Sequence, residues 1–104
     1  LRKHHRAAFQ DALAEALQAL PAEARNLLRL TVVEGLRGDQ VATLFGVTRS
    51  TVVRWLAAAR RSVWEGTRSG LSRRVGLRPD EFESLARALR SQLELSVARI
   101  LQEP

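Results

Sequence analysis

Cysteine is absent, which excludes disulfides and thiolate metal sites and leaves nothing to report on the redox environment. Methionine is absent too, and the chain opens on Leu1, so the sequence is expected to be a piece of something longer and its function that of a module. No apolar run approaches the roughly 18 to 20 residues that span a bilayer, and no short apolar segment near the start carries a cleavage-like flank. A membrane partner is therefore not expected, and a cytoplasmic setting is. Strand periodicity is lacking as well. Val, Ile and Thr never alternate with polar residues at a period of two, whereas apolar residues recur at three and four almost throughout, so the expected fold class is all-α.

What the 104 residues do contain is enough for one small domain with appendages, and an uneven positive charge. Residues 49–78 hold eight arginines against Glu65 alone, while residues 7–48 and 79–104 each hold three arginines against five acids. A net charge of +6 gathered mainly on one element favours a polyanionic partner over a general role in solubility.

Five helices are expected. The first, about 7 to 19, aligns Phe9, Ala12, Leu13, Ala16, Leu17 and Leu20 on one face and stops before Pro21. The second has Pro21 in its first turn, buries Ala24, Leu27, Leu28 and Thr31, and ends at Gly35. A short third covers about 38 to 45. The fourth is capped by Thr48 and runs through Val52, Trp55, Leu56, Ala59 and Val63 to an end between Gly66 and Gly76. The fifth runs from Pro79 to about Gln102, with Phe82, Leu85, Ala86, Leu89, Leu93, Val97 and Ile100 in one stripe. That stripe needs a cover, which the first helix is expected to supply. At about 36 Å the fifth helix is longer than a small core covers, so the excess is expected to be met by dimerisation.

Within this order the stretch VATLFGVTRSTVVRWLAAARR, residues 41–61, has the pattern of a helix-turn-helix. A steep helix crossing requires a small buried residue in the first helix, a glycine in the turn and an apolar clamp on the second. Val41, Ala42 and Phe45, then Gly46 and Val47, then Val52 and Trp55 fill those positions. Left exposed at the front of the second helix are Thr48, Arg49, Ser50, Val53, Arg54 and Ala57, the set that would face a major groove. Arg60, Arg61, Arg68, Arg73 and Arg74 are expected to add sequence-independent attraction to phosphates.

Residues 20–60 as a whole resemble, without a gap, region 4 of the sigma-70 superfamily, and particularly that of extracytoplasmic-function (ECF) sigma factors. The residues that carry the resemblance are Leu20 and Pro21, then Leu27, Leu28 and Leu30, then Glu34, Gly35 and Leu36. Further along they are Val41, Ala42, Gly46 and Val47, then Thr51, Val52, Leu56, Ala59 and Arg60. The resemblance implies a four-helix region 4 domain spanning residues 7–76, with residues 1–6 the end of an interdomain linker and residues 77–104 a C-terminal helical extension. It implies a DNA-binding set of Arg37, Thr48, Arg49, Ser50, Thr51, Val53, Arg54, Ala57, Arg60 and Arg61, reading the −35 promoter element. Core RNA polymerase, through the flap of its β subunit, and an anti-sigma factor are the implied protein partners, and no metal or cofactor is implied.

Three residues depart from the family's pattern. Arg37 stands where a capping serine or threonine is usual, a loss of about 1 kcal/mol unless compensated, and is assigned to a phosphate. Val53 occupies a recognition position that is often basic or polar; it suits a thymine methyl and cannot hydrogen-bond. Trp55 replaces a frequent arginine and is assigned to the core.

Other classes have less behind them. His4 and His5 are adjacent and diverge on a helix, and the sequence places no Cys, Asp or Glu within a helical turn of them, so neither metal binding nor catalysis is expected of them. Glu15, Glu23, Asp80 and Glu83 read as helix-face and N-terminal charges. The output domain of a response-regulator or quorum-sensing type of transcription regulator shares a four-helix core ending in a helix-turn-helix, but would dimerise on a two-fold operator. A helical protein-interaction module using residues 79–104 would show no salt-dependent DNA binding.

Overall fold

A computed structural model describes residues 3–78, 80–84 and 96–101. Helix α1 spans Lys3–Ala19, a turn longer at its start than its apolar pattern requires, because no glycine or proline interrupts residues 3–7. Helix α2 covers Ala22–Leu28, with Pro21 at its N-cap rather than inside its first turn. Its continuation, Arg29–Val33, widens into a π-helical turn in which the Glu34 N–H reaches the Arg29 carbonyl at 3.0 Å. Within this turn Thr31 Oγ1 donates to the carbonyls of Leu27 and Leu28 at 3.1 and 3.2 Å, in the β-branched run Thr31, Val32, Val33. Helix α3 is Gly38–Phe45 and α4 is Arg49–Val75. Residues 80–84 and 96–101 are also helical, and no strand occurs among the described residues. No helix of the described residues is long and apolar enough to cross a membrane.

The core has two parts. The larger joins α1 to α4 and the C-terminal residues: Phe9, Leu13, Leu17, Val63, Leu71, Phe82, Val97 and Leu101 are all buried in it. The smaller, under the helix-turn-helix, holds Leu27, Val41, Ala42 and Val52, and Leu56 packs against both. Together they fix α4 at the centre of the molecule, clasped by α1 along its distal half and by α2 and α3 along its proximal half.

The sequence leaves the end of α4 open between Gly66 and Gly76, and the structure carries the helix to Val75, with Gly76 as its left-handed cap. The interior glycines are spacers for a neighbour. A Cβ on Gly66 would stand 2.9 Å from the Ala16 Cβ, and one on Gly70 3.0 Å from the Ala12 Cβ. The helix accepts about 1 kcal/mol of lost propensity at each glycine so that α1 can lie directly on it.

The C-terminal residues close the larger core from outside. Phe82 meets Trp64 edge-on with centroids 5.4 Å apart, Glu83 pairs with Arg68 at 3.2 Å, and Gln10 of α1 donates to Ser96 at 3.5 Å. The expected apolar stripe is thus covered by this molecule's own helices at Phe82, Val97 and Ile100, while Leu85, Ala86, Leu89 and Leu93 lie outside the described residues.

Candidate nucleic-acid interface

Gly46, at φ +68°, is left-handed and terminates α3, its N–H reaching the Thr43 carbonyl, while the Val47 N–H reaches that of Ala42. Two residues later Thr48 caps α4: its Oγ1 accepts from the Thr51 N–H at 3.3 Å. The same hydroxyl lies 3.2 Å from Ser50 Oγ and 3.0 Å from Thr51 Oγ1, and Arg54 Nη2 donates to Thr51 Oγ1 at 3.2 Å. One polar network therefore sets both the start of α4 and the direction of Arg54. Thr51 is half-buried, and its hydroxyl, shared with Thr48, holds Arg54.

Thr48, Arg49, Ser50, Val53, Arg54, Ala57, Arg60 and Arg61 are all exposed. At about 100° per residue, Ser50, Val53 and Ala57 form a ridge of small side chains along α4. Arg49 and Arg60 lie on one flank of it and Arg54 and Arg61 on the other. The Arg49 stem passes over the N-terminus of α3, 3.6 Å from where a Gly38 Cβ would stand. An alanine at 38 would meet this arginine in ordinary van der Waals contact.

Arg37 lies beside the same end of α3. Its guanidinium, which has no acceptor, cannot cap the helix. Compensation comes from Gln40, whose Oε1 accepts from the Arg37 N–H at 2.9 Å, and from Asp39 in the first turn. Arg37 Nε donates to Asp39 Oδ1 at 3.2 Å, and this bond holds the Asp39 carboxyl below its ordinary value. Part of the Arg37 charge is thus balanced within the chain. The sequence names Arg37 but not Asp39 as its partner, although the spacing Arg-Gly-Asp before a helix carries that signal.

One expectation is corrected by the structure. Trp55 is 40% exposed and not core: it sits well to one side of the line through Val52, Ala59 and Val63, and rests on Phe45 with centroids 6.0 Å apart. With Leu20, Pro21, Ala24, Leu27 and Ala58 it lines an apolar groove of about 550 Å³, on the side of α4 away from Arg49 and Arg60. The distal arginines have acids of this chain as neighbours. Arg73 and Arg74 both pair with Glu15 of α1, the former at 3.8 Å, and Arg68 pairs with Glu83 and lies over the Phe82 ring. A helix-dense run of arginine is locally repulsive, so those on the α1 side gain most by meeting its acids.

An arginine-flanked ridge at the capped start of the second helix of a helix-turn-helix is the geometry of a major-groove reader. The family model described as Sigma-70, region 4 matches residues 10–63, just over half of the chain, from within α1 to the middle of α4. The chain belongs to the sigma-70 region 4 family. No curated protein and no solved structure matches it. Region 4 is a helix-turn-helix DNA-binding domain of sigma factors, a regulatory and not a catalytic module. In this region 4 domain the matched residues include the ridge, the four flanking arginines and the groove, and they stop before Arg68, Arg73 and Arg74.

Proposed function

We propose that this region 4 domain, of the ECF type, reads the −35 promoter element with the ridge and flanking arginines of α4 while holding core RNA polymerase through the groove of Phe45 and Trp55. The observation that carries the reading is the separation of two surfaces on one helix. Cationic residues flank one face, and an apolar groove with an exposed tryptophan occupies another. A helix offering both faces joins a polyanion to an apolar protein segment without either obstructing the other. In this reading Arg37, Arg49, Arg54, Arg60 and Arg61 reach phosphates or base edges, and Thr48 and Thr51 hold the helix and Arg54 in place. Ser50, Val53 and Ala57 lie against the bases. The groove also suits an anti-sigma factor, which would then act by competing with polymerase, in a cytoplasmic setting.

Truncating Trp55 to alanine tests the two-surface reading. An aromatic anchor at the centre of a protein interface is worth about 2 kcal/mol or more, about thirtyfold in affinity. Binding of Trp55→Ala to the isolated flap of the polymerase β subunit is expected to weaken by that much in calorimetry, with duplex affinity within about twofold of the parent. Equal loss of both partners, with the helix content unchanged, would show that the surfaces are not separate.

A further inference from the structure

Val53 is 52% exposed, one of the few large apolar side chains left in solvent, and it stands at the middle of the ridge between Ser50 and Ala57. We infer that Val53 selects thymine, through contact with its 5-methyl group, at one position of the DNA site. This rests on the reading of α4 as the groove-facing helix.

The thymine methyl is the one bulky apolar group that a base presents in the major groove. A valine driven against the amino group of adenine or cytosine, or against the acceptors of guanine, strips water from that atom and returns no hydrogen bond. Against a thymine methyl it buries apolar surface on both sides. Valine also suits the task because its χ1 is already restricted on a helix, so little rotamer freedom is lost on contact. Its neighbours permit the approach. Ala57 and Ser50 are too small to hold the helix off, while the arginines lie on the flanks, and Arg54 is drawn toward Thr51 at 3.2 Å instead of across the ridge. A basic residue at 53 would reach an acceptor edge or a phosphate, so this valine marks a site whose discrimination at that base pair comes from a methyl group and not from hydrogen bonding.

The test starts from duplexes enriched by the 104-residue chain out of a randomised 20-base-pair pool, followed by replacement of each thymine in turn by deoxyuridine, which lacks only the methyl group. One buried methyl is worth about 0.8 kcal/mol, so affinity should fall about fourfold at one position, or at two adjacent ones, and little elsewhere. In Val53→Ala, whose exposed helical site tolerates alanine, that fall should vanish while the affinity ranking at other positions persists. If no thymine responds, or if Val53→Ala responds as the parent does, the inference is overturned and the DNA-binding reading stands. If the pool yields no duplex that the chain binds in a salt-dependent way, both are overturned.

Discussion

Reversing Arg49, Arg54, Arg60 and Arg61 to glutamate together is expected to lower duplex affinity about a thousandfold or more. Loss of an arginine contact of this kind costs about 1 to 3 kcal/mol, and four of them at the low end already sum to about 4 kcal/mol, roughly a factor of a thousand. Charge reversal adds repulsion to that loss. The slope of log affinity against log salt should also fall, by about 0.9 for each phosphate contact removed. The instructive control is Arg73→Gln with Arg74→Gln. These two carry the same formal charge on the same helix, yet they face Glu15. Their removal should leave the salt slope unchanged, which fluorescence anisotropy at several ionic strengths will read directly. A slope that falls as much for the distal pair as for two of the proximal four would mean that α4 lies along DNA over its whole length.

Phe82→Ala is expected to have the largest effect on stability. The ring is fully buried, packs edge-on against Trp64 and lies beneath the Arg68 guanidinium at 5.7 Å. Truncating a buried phenylalanine costs about 3 to 5 kcal/mol, a large part of the roughly 5 to 15 kcal/mol that holds a domain together. For a domain of this length each kcal/mol moves the melting midpoint by about 4 to 8 °C, so calorimetry should show a fall of at least about 12 °C. The conclusion drawn from such a fall is specific. Residues 77–104 lie beyond the family match at 10–63, and a large effect at 82 makes them part of the fold in this chain. A fall of only a few degrees would mean that the larger core is complete without them.

The fold was legible where periodicity and punctuation agree. Thr48, Gly46 and Gly35 mark boundaries because a cap hydroxyl and a left-handed residue are local requirements, satisfied or not within a turn of chain. Gly66 and Gly70 show the opposite case. Locally they argue for a helix end; what overrides them is the approach of Ala12 and Ala16, some fifty residues away in sequence. The same distinction divides the site. Exposure of Ser50, Val53, Arg54 and Ala57 follows from the apolar stripe of α4 alone, so sequence suffices. Whether an exposed arginine keeps its charge available depends on acids brought from other elements, which is why Glu15 and Glu83 escaped notice as partners of Arg73, Arg74 and Arg68. Trp55 was misread for a related reason. Its size suggests burial, but it sits at the edge of the stripe, and with Phe45 and Leu20 it borders a groove that exists only once α2 has packed against α4.

The claim that the proximal, arginine-flanked face of α4 is the DNA-binding surface is tested most directly by titrating the ¹⁵N-labelled chain with an enriched duplex and following its amide resonances. The account predicts shifts concentrated in residues 48–61 and at the start of α3 in residues 37–40, with the amides of α1 and of the groove residues Leu20, Ala24 and Leu27 little changed. Shifts centred on that groove, or on residues 66–75, with the front of α4 unperturbed, would contradict it.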